Sequence, residues 1–296
     1  MNNKTLTKFR AFQLDSEGSL FSYYKQDVYT LIEARIPKDG IGSLENDLNF
    51  HSKSTIDILH ITSWDNDHCD YDDLVQILNK LRPSIIEIPS YEPDSDTAKL
   101  CKSTILKYEN IHERYKPNLR IFSEEYFKSL PSAEKGGEIN VIYQSKFDSH
   151  NKNDMSLIKL FRSNGFNVIS LGDCECSSIA NSLIEDEIFC NEIDILILPH
   201  HGADNGFLSP EFLEKIKPRI AICSSNFGNK YEHPKREIKN MLTNADVPLK
   251  TTKTGDIIIY QEQNSKEAIV VNFTSNNDDR EEPIRFIPKK HALAQV

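Results

Sequence analysis

The chain lacks any apolar run of the ~20 residues that a membrane-spanning helix needs. The polar start at residues 1–4 has no apolar signal region behind it. We therefore expect a cytoplasmic protein without membrane insertion. The six cysteines show no regular zinc-finger spacing, so we expect free thiols and neither disulfides nor a structural zinc site.

Positive charge is also scarce, because 35 lysines and arginines stand against 45 aspartates and glutamates and give a formal net charge of −10. This balance counts against passive binding of long nucleic acid, which needs a basic surface. It does not exclude a nuclease, since bound divalent cations hold a scissile phosphate locally. Lys230, Lys235 and Arg236 form one basic strip, which a solvated helix start explains equally well.

The length of 296 residues suffices for one large domain or two small ones. Strand-like and helix-like segments alternate without an obvious linker up to about Gln263, so we predict one domain over residues 1–274. Residues 275–296 contain the polar run Asn-Asn-Asp-Asp-Arg-Glu-Glu at 276–282. We predict a polar C-terminal tail there, which could contact a protein partner.

Two carboxylates and a histidine fall close together in residues 63–68 (Ser-Trp-Asp-Asn-Asp-His). The segment follows Ile56–Ile61, whose apolar side chains predict a buried strand. An amphipathic run then predicts a helix over Asp73–Leu81. A buried carboxylate pair is unfavourable unless a positive group neutralises it, and a divalent cation is the simplest such group. The alternative is an ordinary turn that caps the helix.

Three later apolar runs also predict strands with metal-capable residues at their ends. These runs are Phe166–Leu171, Ile193–Leu198 and Ile220–Cys223. These residues are, in order, Asp173, the pair His200 and His201, and His233 within a loop that also holds Asn226, Tyr231 and Pro234. Ligands in α/β folds gather beyond strand ends, so these loops are expected to converge. The alternatives are a turn at Asp173 and a helix over His233–Leu242 with Pro234 at its first position.

The order of these segments resembles the metallo-β-lactamase superfamily, in particular the branch that contains the soluble nuclease-like domain of the bacterial competence protein ComEC. The branch motif His-x-Asp-x-Asp-His stands here as Ser63-x-Asp65-x-Asp67-His68. Further matches follow in chain order at residues 153–157, 172–173, 199–202, 212–218, 231–234 and 252–257. The resemblance spans roughly residues 8–262, and the ordered set is more specific than any one motif.

The resemblance implies an α+β fold, a four-layer αββα sandwich of two mixed sheets with helices outside. Two hairpin-like strand pairs support this independently, Ser156–Phe161 with Phe166–Leu171 and Asp256–Gln261 with Ala268–Phe273. They alternate with predicted helices such as Pro210–Ile216 and Lys235–Leu242.

The resemblance also implies two divalent ions, zinc or manganese, and phosphodiester hydrolysis by a metal-activated water. The implied metal ligands are Asp65, Asp67, His68, Asp173, His200 and His201. The implied catalytic residues are Asp67, His201 and His233, with a histidine as proton donor to the leaving oxygen. Asn153, Asn226, Tyr231 and Lys235 are the implied substrate-binding residues.

One departure from the motif weakens part of this expectation, because Ser63 stands where the branch has a histidine. Serine is a poor ligand here, so one of the two metal sites is expected to be weak, which favours manganese slightly over zinc. The predicted function is a nuclease or phosphodiesterase acting on DNA or RNA. The alternatives are a hydrolase of small esters, lactams or cyclic nucleotides, and a metal-depleted binding or regulatory subunit.

Overall fold

The computed structural model describes residues 5–111, 117–129, 140–143, 145–274 and 282–290. Two mixed β-sheets form its centre. The first sheet contains β1 (Thr5–Ala11), β2 (Phe21–Lys25), β3 (Val28–Ile32), β4 (Ile58–His60), β5 (Ile85–Pro89), β6 (Asn118–Phe122), β13 (Gly255–Glu262), β14 (Ala268–Thr274) and β15 (Ile284–Phe286). The second contains β7 (Asn140–Tyr143), β8 (Ile158–Phe161), β9 (Val168–Ser170), β10 (Ile195–Ile197), β11 (Ile220–Cys223) and β12 (Leu249–Thr251).

Each sheet has an antiparallel part and a parallel part. The first sheet runs in the order β15-β14-β13-β1-β2-β3-β4-β5-β6, and its pairs are parallel from β3 onward. The second runs β12-β11-β10-β9-β8-β7, with the parallel pairs from β12 to β9. The parallel strands β4, β9, β10 and β11 all end in loops that carry the predicted metal-capable residues, which is why those loops converge.

The helices pack on the outer faces of the two sheets. They are α1 (Gly42–Phe50), α2 (Tyr71–Lys80), α3 (Asp96–Ile111), α4 (Glu124–Ser129), α5 (Ser177–Leu183), α6 (Glu187–Glu192), α7 (Pro210–Ile216) and α8 (Arg236–Asn244). The sequence determines several of their ends. The Asp70 carboxylate accepts hydrogen bonds from the backbone N–H groups of Asp72 and Asp73 and caps α2, and Ser209 caps α7 in the same way.

Three separate clusters of buried side chains define the layers. One lies between α1–α3 and the first sheet and includes Leu48 and Ile77. A second lies between the second sheet and α5–α8 and includes Phe212. A third, with Phe9 and Phe161, fills the space between the two sheets. Helix, sheet, sheet and helix therefore alternate, and the predicted four-layer αββα sandwich is confirmed.

The predicted hairpins are also confirmed. β8 pairs antiparallel with β9, and β13 pairs antiparallel with β14. All six cysteines are free thiols, as expected. Within the described residues, no helix combines the length and apolar composition that crossing a bilayer requires.

The predicted helix Lys235–Leu242 is observed as Arg236–Asn244. The alternative start at His233 is not seen, because Lys235 has an extended ψ of 154° and its N–H donates to the Gly202 carbonyl. Part of the segment predicted as a tail joins the first sheet, since Ile284–Phe286 pairs with β14 and the Phe286 ring lies against Phe166. The polar segment 275–281 and residues 291–296 lie outside the described residues.

Candidate metal centre

Three loops bring four ligand-capable side chains together at one edge of the sandwich. Asp67 and His68 come from the loop after β4, Asp173 from the loop after β9, and His201 from the turn after β10. One ligand atom from each of the four lies within 4.8 Å of the others. We call these four residues the metal cluster. It contains four of the six predicted metal ligands.

Both histidines of the metal cluster are held by their Nδ1 atoms. His68 Nδ1 lies 3.1 Å from Glu33 Oε1, and His201 Nδ1 lies 3.0 Å from the Ser224 carbonyl oxygen. In each case an N–H at Nδ1 donates outward, so Nε2 faces the cluster. His68 Nε2 is 2.9 Å from Asp173 Oδ1, and His201 Nε2 is 3.1 Å from Asp67 Oδ2. Such outer partners fix the tautomer and orientation of metal-binding histidines.

Glu33 is itself held firmly. Its carboxylate accepts hydrogen bonds from the Thr62 backbone N–H at 3.0 Å and from the Thr62 hydroxyl at 2.5 Å. The residue is buried and has a φ of 73°, a strained conformation for a side chain other than glycine or asparagine. Strain that persists in the fold indicates that the surrounding contacts determine this carboxylate's position.

The carboxylates of the metal cluster favour positive charge at this edge of the sandwich. Burial alone would lower the pKa of His68, but the carboxylates of Asp173 and Glu33 outweigh this and raise the pKa well above its usual value. Burial would also lower the pKa of His201. The hydrogen bond to Asp67 outweighs this effect, so the pKa of His201 is raised. The surrounding carboxylates therefore favour the protonated form of both histidines, and a bound divalent ion would supply positive charge at the same place.

A loop near the start of the chain closes one side of the metal cluster. The Ser19 N–H donates to the Asp67 carbonyl at 3.0 Å, and the Ser224 hydroxyl donates to the Gly18 carbonyl at 2.8 Å. A Cβ on Gly18 would lie 2.4 Å from the Asp67 carbonyl oxygen, and the φ of Gly18 is +138°. Only glycine therefore allows this close approach.

His200 does not join the metal cluster. Its Nδ1 lies 2.5 Å from Glu175 Oε1, and Glu175 also accepts hydrogen bonds from the amides of Asn153 at 2.9 Å and Asn151 at 2.6 Å. The adjacent histidines diverge because both have a positive φ, 44° and 53°, which turns the chain sharply between them. The predicted substrate-binding residue Asn153 is therefore paired within the protein.

The position of the missing histidine is part of a different hydrogen-bond group. The fully buried Ser63 hydroxyl lies 3.1 Å from the Tyr91 hydroxyl, which also accepts from the Trp64 N–H at 3.0 Å. Asp65 is exposed, and its N–H donates to Ser63 Oγ at 3.2 Å. Its carboxylate lines the same cavity as those of Asp67 and Asp173 without belonging to the metal cluster.

The remaining predicted residues lie on the rim. The ring of His233 is nearly parallel to the rings of His201 and Tyr231. The ring centroids lie 6.4 Å apart with an interplanar angle of 11° for His201, and 5.6 Å apart with an angle of 22° for Tyr231. Burial, followed by repulsion from the neighbouring His201 and His200, lowers the pKa of His233 to about 4, which favours the neutral ring. Asn226 lines the cavity with these rings, whereas Lys235 lines the neighbouring cavity.

Sequence reasoning missed three residues of this region: Glu33, Tyr91 and Glu175. Glu33 follows β3 and Tyr91 follows β5, so both lie beyond the ends of parallel strands. A search of every strand end for buried polar residues would have included them. Glu175 lies two residues after Asp173, close enough in sequence to have been considered.

The donor set of the metal cluster fits a divalent cation. Two imidazole nitrogens and two carboxylate oxygens are ligands that both zinc and manganese accept. Asp173 and His68 are buried, while His201 and Asp67 are partly exposed, so the cluster is enclosed on one side and open on the other.

Solved structures with the same architecture identify the fold. The metallo-β-lactamase fold protein YhfI from Bacillus subtilis matches 86% of this chain and 99% of its own, with a TM-score of 0.50 and 9% identity. Igni18, a metallo hydrolase from Ignicoccus hospitalis, matches 85% of this chain and 98% of its own, with a TM-score of 0.51 and 12% identity. The chain has the metallo-β-lactamase fold. The predicted resemblance is thereby confirmed.

Sequence comparison points to a related branch. ComE operon protein 3 of Bacillus subtilis is 27% identical over 128 residues, which are 43% of this chain and 16% of that protein. The chain thus matches only a small part of its relative's length. No protein-family profile matches the chain.

Proposed function

We propose that this chain is a metal-dependent phosphodiesterase that cleaves nucleic acid. The observation that carries the proposal is the meeting of Asp67, His68, Asp173 and His201 on a metallo-β-lactamase fold. The partial likeness to ComE operon protein 3 supports the branch from which a nuclease was predicted. A phosphodiester substrate is also compatible with the negative net charge of the chain. A bound cation would attract the phosphate locally, although the net negative charge of the chain repels it.

In this proposal the metal cluster holds one divalent ion, zinc or manganese. When bound, such an ion lowers the pKa of water and stabilises the charge that grows on phosphoryl oxygens. The second ion expected from the sequence remains a prediction, with Asp65 as an implied ligand. His200, also an implied ligand, is engaged elsewhere, since its Nδ1 lies 2.5 Å from Glu175.

The chain's own groups orient the reaction. Glu33 and the Ser224 carbonyl hold His68 and His201 with their Nε2 atoms toward the cluster. His233 is uncharged and stands beside His201, so it is placed to hydrogen-bond an oxygen of the substrate. Asn226 and Tyr231 line the same cavity and would contact the substrate beyond the scissile bond.

The proposal is tested by cleavage of labelled single- and double-stranded DNA and RNA. Purified protein is assayed with Mn²⁺, Zn²⁺ or EDTA, beside Asp67→Ala and a control, Glu214→Ala, which removes an exposed acid on α7. We expect metal-dependent cutting by wild type and by the control, and none by Asp67→Ala.

Two outcomes would contradict the proposal. Folded, metal-loaded protein that cuts none of the four substrates would favour the predicted small-molecule hydrolase. Purified protein that retains no metal and takes up none on titration would favour the binding or regulatory subunit.

A further inference from the structure

The loop between β11 and α8 exposes two aromatic rings, of which Tyr231 lines the cavities at the metal cluster. Phe227 is 70% exposed and Tyr231 is 50% exposed. The Tyr231 ring stacks on His233, which in turn stacks on His201. A column of nearly parallel rings therefore runs from the metal cluster to the surface. Phe227 belongs to the same loop, four residues before Tyr231 in the sequence.

The loop is held in this shape by one side chain. The Asn229 amide donates to the carbonyl oxygens of Asn226 and His233, each at 3.1 Å, and its own oxygen accepts from the His233 N–H at 2.7 Å. The two aromatic rings are thus presented by a braced loop. Such bracing lowers the entropy lost when a ligand binds.

A cavity rich in positive charge adjoins the loop. Its charged lining residues are Lys235, Arg236, Lys239 and Lys253, against Glu232 and Glu237. Among the described residues, none forms an ion pair with Lys235, Lys239 or Lys253. These ammonium groups are therefore available to an anionic ligand, on a chain whose net charge is −10.

The three cavities are neighbours that share lining residues. Tyr231 lines both the cavity of Asp67 and Asp173 and the cavity of His201 and His233. Asn229 lines the latter cavity and also the basic one. A chain-like ligand can therefore extend from the metal cluster, past Tyr231 and Asn229, to the lysines.

We propose that this surface is a binding track for single-stranded nucleic acid. Unpaired bases stack on Phe227 and Tyr231, and the phosphates lie along Lys235, Lys239 and Lys253. Alternation of aromatic rings and basic groups is the chemistry that binds single strands, whereas bases inside a duplex are already stacked on their neighbours. This inference deepens the proposed function by naming its substrate class, and it rests on that function only for what happens at the metal cluster.

The track is tested by binding without cleavage. Fluorescence anisotropy in EDTA measures the Kd of the whole chain for a labelled 15-nucleotide oligo-dT, oligo-rU and a duplex of equal length. We expect at least one single strand to bind more tightly than the duplex. Phe227→Ala and Tyr231→Ala should each weaken that binding about 5- to 100-fold, the range reported for loss of one base-stacking ring.

Matched controls separate the track from general effects. Phe273→Ala removes a 57% exposed ring from β14, and Lys107→Ala removes an exposed charge from α3. Both should bind as wild type does. Lys235→Ala should reduce the slope of log Kd against log salt by about 0.7, the value for one phosphate contact with a single strand.

Equal binding of single strand and duplex, or unchanged Kd in both aromatic variants, would overturn the track. A failure of the proposed function would give a different result. Single strands would still bind in EDTA, but adding metal would produce no cleavage. Cleavage that persists with an unaltered KM in Phe227→Ala would overturn the track and leave the phosphodiesterase intact.

Discussion

Both halves of the site contain histidine and carboxylate groups but use them in opposite ways. In the metal cluster, the carboxylates of Asp67 and Asp173 face the Nε2 atoms of His201 and His68. In the other half, which we call the paired half, His200 and Asn153 bind Glu175, and Ser63 contacts Tyr91. The comparison teaches that residue type alone does not identify a metal ligand. What matters is whether the surrounding protein already satisfies the group.

The largest expected effect is on metal affinity when the cluster loses a carboxylate. Asp173→Asn keeps the size of the side chain but removes its charge. Removing one partner of a buried ionic contact costs about 3–5 kcal/mol, so we expect affinity to fall about 150- to 4000-fold. Titration calorimetry measures it, with circular dichroism to verify folding. Asp65→Asn is the matched control, and equal losses in the two variants would remove the distinction between the halves.

Metal should also stabilise the fold, because the cluster's carboxylates repel one another without a cation. Ligand that binds only the native state adds about 2.7 kcal/mol at a concentration of 100 Kd. We expect the melting temperature to rise by several degrees with Zn²⁺ or Mn²⁺ and to fall back with EDTA. Asp173→Asn should show almost no rise, and a rise equal to wild type would place the ion elsewhere.

The next largest effect on metal affinity is expected from Glu33, which holds His68 Nδ1. Glu33→Gln keeps the shape of the side chain but weakens the hydrogen bond that orients the imidazole. Loss of such an outer partner typically lowers metal affinity about 10- to 100-fold. Competition with a fluorescent chelator measures the change, with exposed Glu45→Gln on α1 as control. Wild-type affinity in Glu33→Gln would show that Thr62 and Asp173 suffice to hold His68.

Ser63→His should make the paired half more like the metal cluster. The new imidazole supplies a nitrogen ligand beside Asp65, so we expect purified protein to retain more metal per chain than wild type. Ser63→Ala loses the same contact with Tyr91 but adds no ligand, and it should retain the wild-type amount. Elemental analysis decides between them, and identical content in all three proteins would contradict the idea.

The smallest effect is expected at Glu175. Glu175→Gln disturbs the partners of His200 but leaves the metal cluster intact. We expect less than a threefold change in metal affinity, about 0.6 kcal/mol. A loss of tenfold or more would mean that the paired half takes part in holding the ion.

The sequence predicted much of the architecture, because the relevant information is local. The hairpin-like strand pair predicted at Ser156–Phe161 and Phe166–Leu171 is present as β8 and β9, and β11 has the predicted bounds, Ile220–Cys223. We predicted that the loops converge because ligand-binding residues in α/β folds gather beyond the ends of the strands. Four of the six predicted ligands meet in the metal cluster for that reason.

The sequence could not decide which polar groups would become partners. His200 and His201 are neighbours, and only their left-handed backbone conformations send one ring to Glu175 and the other to the cluster. Glu33 is separated from His68 by a whole helix and strand, so nothing near the motif indicates it. The strand Ile284–Phe286 is three residues long and follows a polar run, which hides its apolar alternation.

The position of β1 has a consequence for how this chain is made. β1 pairs with β2 on one side and with β13 on the other, so that Ala11 pairs with Ile257. The pairing of β1 with β13 therefore cannot form on the ribosome until residues 255–262 have emerged. Until then β1 exposes an unpaired edge, and such long-range closure slows folding and invites aggregation. Expression at lower temperature or with chaperones should therefore increase the yield of native protein.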